Sequence, residues 1–156
     1  PGAYKFTLNT MRVLIFLILF SPLVTAQVRP SEETNAINSV VQQFFDGLNK
    51  KNTTLIKTTL LPSCRLETTE ADGSVKNVSI PAFLKMLVSN PKLILEERIR
   101  DLQVNTDGPL AMAWMDYHFF VNEKLSHCGS NLFVLVQDTE GWKVHSIIDS
   151  RRKNCD

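Results

Sequence analysis

The residues with the clearest chemical potential lie in two stretches, Trp114 to Asn131 and the end of the chain. They are His118 and His127, the carboxylates Asp116 and Asp149, the amide of Asn131 and the guanidinium of Arg151. An imidazole beside a carboxylate is the pairing that proton transfer needs. The carboxylate orients the ring and raises its basicity, and a pKa near neutrality lets the ring take and give a proton. A nearby amide can donate to a developing oxyanion. The reaction class this implies is a lyase or isomerase of a small carbonyl compound. His127 would be the base, Asp116 or Asp149 its partner, and Asn131 the oxyanion donor. Each residue also has a structural reading: His118 at an edge or pocket mouth, Asp149 in an ion pair with Arg151 or Arg152, Asn131 bonding a bulge beside Gly129.

Other chemistries lack their residues. There is no G-x-S-x-G elbow, no glycine-rich phosphate loop and no dinucleotide fingerprint. No two Cys or His sit at a ligand spacing such as C-x-x-C, so no metal is expected, and no cofactor either. With 17 basic and 16 acidic residues, the chain has no basic excess for nucleic acid. Arg151-Arg152-Lys153 reads as a solvated chain end.

The elements that would position these groups follow from hydrophobic period. Ser31 begins a helix whose apolar positions Ile37, Val40, Val41, Phe44, Phe45 and Leu48 form one stripe. A short helix from about Thr53 to Leu60 ends before Pro62. A hairpin of Cys64 to Glu70 and Val75 to Ser79 follows, then a helix over Ala82 to Val88 opened by Pro81. Four strands complete the chain: Lys92 to Val104, Leu110 to Val121, Leu125 to Gln137 and Trp142 to Ser150. The fold class is α+β, a strongly curved antiparallel sheet with about three helices on one face.

Strand alternation, counted from a tight turn at Asn122-Glu123-Lys124, puts Trp114, Asp116, His118, His127, Asn131, Asp149 and Arg151 on one face. Met115, Tyr117, Phe119, Cys128, Leu132 and Val134 fall on the other. That second apolar face predicts a homodimer. Trp114, His118, Asn131 and Arg151 are the expected ligand-binding residues, with Phe44 from the first helix and Tyr117. Cys128 pairs across strands near Arg152, so Cys155 can fold back to it as a disulfide. Three free thiols, with Cys64, are the competing reading.

Met11 to Ala26 has a positive start, an apolar run and a small-residue close, the layout of a secretory signal peptide cleaved after Ala26. The run is too short for a spanning helix, so no stable membrane insertion is expected. The expected organisation is an upstream extension and leader over 1–26, then one domain over 27–156, secreted or periplasmic. Asn52 and Asn77 open glycosylation sequons.

The opening helix AINSVVQQFFDGL, the Gly141-Trp142-Lys143-Val144 close, and the His127-Cys128-Gly129-Ser130-Asn131 segment with Asp149-Ser150-Arg151-Arg152 resemble the nuclear transport factor 2-like superfamily. The last two features are similar to an exported bacterial subgroup described as lumazine-binding-like. The resemblance spans about Ser31 to Arg152 and implies a cone-shaped domain with a pocket between sheet and helices. In the kinase hub domain, which the stretch also resembles, positions matching Asp116 and Asp149 line the pocket. Superfamily members include isomerases, dehydratases, pure binders and assembly domains. Three functions therefore stand open: binding a small, partly apolar ligand, cofactor-independent lyase or isomerase chemistry, and structural dimerisation.

Overall fold

The computed structural model describes Gly2 and residues 31–155. The expected leader, Met11 to Ala26, lies outside the described residues. Among the described residues, no helix is long and apolar enough to cross a membrane.

Helix α1 (Glu32–Asn49) starts where Ser31 caps it, its hydroxyl accepting from the Thr34 N–H at 3.1 Å. Its buried residues are Ile37, Val41, Phe44, Phe45, Gly47 and Leu48, the stripe that the period marked. Helix α2 (Thr53–Thr59) crosses close to it. A Cβ on Gly47 would lie 2.7 Å from Ile56 Cγ1, so only glycine permits this approach. Asn52 caps α2, its side chain accepting from the Leu55 N–H.

Strand β1 (Leu60–Thr69) begins at once and runs through Pro62, earlier than the expected start at Cys64. The proline is tolerated because pairing is interrupted between Leu60 and Arg65. Strand β2 (Val75–Val78) and helix α3 (Ile80–Ser89) follow. Then come β3 (Leu95–Asp107), β4 (Leu110–Val121), β5 (Lys124–Asp138) and β6 (Gly141–Ser150). The sheet order is β2-β1-β6-β5-β4-β3. All pairs are antiparallel except β1 with β6, so the expected antiparallel sheet carries one parallel pair. The return of β6 beside β1 follows from the two elements and three strands between them.

The core lies between the helices and one sheet face. Phe44, Phe45 and Phe133 pack together at centroid distances of 5.2 to 5.5 Å. Each such side chain contributes about 1.5–3 kcal/mol by leaving water. Cys64 is a free, buried thiol pushed up to about 11 by burial, and is therefore unreactive at neutral pH. Cys128 and Cys155 are joined in a disulfide, with Cα atoms 5.9 Å apart.

One register detail overturns the expected face assignment. The turn is tight as expected, with Asn122 and Glu123 at φ 48° and 64° joining Val121 to Lys124. Phe120 pairs with Leu125, but Phe119 pairs with His127. Ser126 is thus an extra residue, a β-bulge. Beyond it, every residue of β4 faces the side opposite to the one simple counting gives. Met115, Tyr117 and Phe119 face the helices. Trp114, Asp116 and His118 point to the outer face, where Trp114 is 42% exposed.

Candidate functional site

A cavity of about 330 Å³ opens between the sheet and the helices. Its walls are apolar: Phe44, Phe45 and Leu48 from α1, Phe83 and Leu87 from α3, Phe133 and Ile147 from the sheet. Met86 and Arg151, both exposed, stand at its rim. The volume lies at the lower end of the range for small-molecule sites.

Polar groups converge on one region of the wall. Asn131 is 4% exposed, and its Nδ2 donates to Glu97 Oε1 at 2.8 Å. Tyr117 Oη lies 3.0 Å from both Asp149 Oδ2 and the Ser150 carbonyl oxygen, its hydroxyl proton donating to them. Thr68 is the β1 partner of Asp149 in the parallel pair, which sets its side chain beside the carboxylate. His127 stacks on Phe119 at 4.9 Å and meets the Tyr117 ring edge-on at 5.8 Å.

The fold positions these groups by specific local devices. Gly129 stands opposite Tyr117 across the ladder. A Cβ there would collide with the Ser150 carbonyl oxygen and lie 2.8 Å from Tyr117 Cε1. Glycine is therefore what lets the tyrosine ring lie flat against β5 and reach Asp149. Glu97 is fixed through its backbone. Its N–H donates to Asn49 Oδ1 at 2.7 Å, and its carbonyl accepts from Asn49 Nδ2 at 3.1 Å. The end of α1 is thus fastened to β3 at the point where the carboxylate enters the cavity.

The cavity reshapes the acidities. Burial pushes Glu97 up to about 7; the Asn131 hydrogen bond opposes this, the Asp149 charge adds to it and Arg151 opposes it. Burial also raises Asp149, against the Thr68 side chain, the Tyr117 hydrogen bond and the charge of Arg151. Tyr117 is raised well above the usual phenol range, first by burial and then by the two carboxylates, so it stays a donor. His127 is pushed down to about 4 by burial and by Arg151, so it is neutral at pH 7.

Phe44, Tyr117, His127, Asn131, Asp149 and Arg151, expected at the site, all line the cavity. Trp114, Asp116 and His118 do not. They sit on the other side of the sheet, Asp116 accepting from the Ser130 hydroxyl at 2.7 Å. A His127–Asp116 pair is therefore excluded by the Ser126 bulge, and the side-chain hydrogen bond His127 makes among the described residues is to Ser126 Oγ, at 3.1 Å. Glu97 was missed. The available signal was its phase: it alternates with Leu95 and Ile99, both packed on the core, so a carboxylate stood at an inward position of β3.

The sequence profile of the family described as "Putative lumazine-binding" matches residues 32–146. No curated protein matches the sequence. Several solved structures share the fold. A nuclear transport factor 2-like protein of unknown function from Shewanella baltica superposes with a TM-score of 0.61 at 16% identity, covering 81% of this chain and 100% of that one. A nuclear transport factor 2-like protein from Cytophaga hutchinsonii gives 0.64 at 12% identity, covering 78% and 100%. A domain of unknown function with a cystatin-like fold from Nostoc punctiforme gives 0.60 at 16% identity, covering 81% of each chain. With a family match across most of its length, the chain belongs to the family described as "Putative lumazine-binding", and its three helices over a curved six-stranded sheet share the nuclear transport factor 2-like fold.

Proposed function

We propose that this domain binds a small, largely apolar molecule in the cone, with one polar edge of the ligand against Glu97, Asn131, Asp149 and Tyr117. The observation that carries this is the convergence of those four side chains in an otherwise apolar cavity of about 330 Å³. A structural module would fill that space with its own side chains, and Phe44 and Phe45 leave it open. The family's name makes lumazine-like pteridines the first ligands to try. A planar heteroaromatic fits the phenylalanine walls, and its ring N–H and carbonyl groups would meet the carboxylates and the Asn131 amide. The test is a thermal-shift screen of pteridines and related heteroaromatics on the native protein and on Met86→Trp, which plugs the rim from an exposed position. Stabilisation by a ligand in the native protein, absent in the variant, supports the reading. Equal shifts in both would sink it.

A second reading, proton-transfer catalysis, is supported by Glu97. A carboxyl near pKa 7 in an apolar cavity is poised to accept and return a proton at neutral pH, with Tyr117 as a neutral donor beside it. His127 is not needed for this and Asp116 cannot take part.

We also propose export and self-association. The Cys128–Cys155 disulfide supports an oxidising compartment. The outer sheet face exposes Leu110, Met112 and Trp114 at 50%, 38% and 42%, which supports pairing of two copies there.

A further inference from the structure

His118, Cys128 and Cys155 are left over by the pocket, on the opposite side of the sheet. His118 and Cys128 are direct partners across β4 and β5, so their side chains stand next to each other. The chain beyond β6 brings in the third group. Cys128 N–H donates to the Arg152 carbonyl at 3.0 Å, Arg152 N–H donates to the Cys128 carbonyl at 2.9 Å, and Cys155 folds back over them. One ring nitrogen of His118 and the two sulfurs all lie within 4.8 Å of one another. His127 and His145 each have a serine hydroxyl in reach, whereas the His118 ring has no such partner among the described residues. It meets the Phe120 ring edge-on at 6.4 Å.

We propose that this cluster is a redox-gated metal site: with the disulfide reduced, the thiolates of Cys128 and Cys155 and the imidazole of His118 hold one zinc-class divalent cation. A dithiol reductant gives two electrons and two protons to the S–S bond and becomes a disulfide itself, leaving two thiols. Metal binding then expels those two protons, so two thiolate charges balance the dication and the neutral imidazole supplies the third bond. Two thiolates and one imidazole are a known zinc donor set that keeps a fourth position open. The geometry suits an exchange of occupants. His118 and Cys128 are held by the strand ladder, while Cys155 sits on the irregular segment after β6, outside any strand. The sulfurs can move apart without disturbing the sheet. Disulfide and metal therefore exclude each other. Linear spacing hides this site, because its donors come from two strands and a tail.

The experiment is a zinc titration against a chromogenic chelator, with the protein reduced by dithiothreitol, desalted without oxygen and compared with the oxidised form. One equivalent should bind to the reduced chain, and the oxidised chain should bind at least ~10-fold more weakly. Cobalt in place of zinc should give the near-ultraviolet thiolate charge-transfer band. His118→Ala should weaken binding at least ~10-fold, the low end for losing even an indirect support of a ligand. His118→Cys should keep one equivalent and intensify the cobalt band. Circular dichroism reports folding of each reduced variant. If reduction unfolds the chain, zinc must restore the sheet in the native sequence and not in His118→Ala. Equal binding by oxidised and reduced protein, no binding by a folded reduced chain, or indifference to His118→Ala would each overturn the site.

Discussion

Replacing Glu97 by Gln removes a charge that the cavity disfavours, and the effect should appear as a change in pH dependence. Glu97 rises from an ordinary 4.5 to about 7 on folding, chiefly through burial. A raised acid contributes its stability in full below about 4.5, where both states are protonated, and loses it as pH climbs to about 7. That loss is on the order of 3 kcal/mol, at about 1.4 kcal/mol per pH unit. His127 acts in the opposite sense. Its pKa falls from 6.5 to about 4, so its contribution is full above 6.5 and is lost as pH falls towards 4. Between about pH 4.5 and 6.5 the two slopes oppose each other and nearly cancel in the native protein. Glu97→Gln removes only the falling one. Its stability relative to the native protein should therefore grow by about 3 kcal/mol from pH 4.5 to 7.5, a melting-temperature gain of roughly 10 °C for a domain of this size. Urea denaturation of both proteins at one-unit pH intervals measures this, and titrating groups that do not interact with Glu97 cancel in the difference. A difference that stays constant with pH would show that Glu97 ionises normally and that the cavity does not govern it.

Four further outcomes are expected. Gly129→Ala should destabilise the domain by at least ~2 kcal/mol, because the new methyl meets the Ser150 carbonyl and the Tyr117 ring; chemical denaturation checks it. Cys155→Ser should cost about 3–4 kcal/mol, since the bond spans a sequence separation of 27 residues, and the melting curve should then match that of the reduced native protein. Trp114→Glu should convert a dimer to a monomer in analytical ultracentrifugation while leaving the fold unchanged by circular dichroism. Asn131→Leu should abolish stabilisation by any ligand found in the thermal-shift screen, because the amide that fixes Glu97 is gone.

Much of this fold was legible because its signals are local and repeated. The α1 stripe, the Ser31 cap, Pro81 in the first turn of α3 and the turn at Asn122-Glu123 are each set by a few neighbouring residues. The order of elements and the cysteine pair followed from them. Face assignment was not legible, since it depends on a single extra residue. Ser126 has no property that marks a bulge, yet it decides that Tyr117 rather than His118 enters the pocket. His127, Asn131 and Asp149 share the cavity because they lie on β5 and β6 beyond that bulge and keep their mutual phase. Glu97 escaped notice for a different reason. Its carboxylate sits in a run of charged residues, Glu96 to Arg98, where only its phase with Leu95 and Ile99 sets it apart. Its raised pKa comes from burial and from the charge of Asp149 on β6, an element distant in sequence.

The most direct test of the ligand-binding reading is native mass spectrometry of the protein purified from its source, beside Met86→Trp purified in the same way. The account predicts a bound small molecule in the native protein, released on denaturation and missing from the plugged variant. A native protein that carries no adduct and takes up none of the pteridines or related heteroaromatics would contradict it.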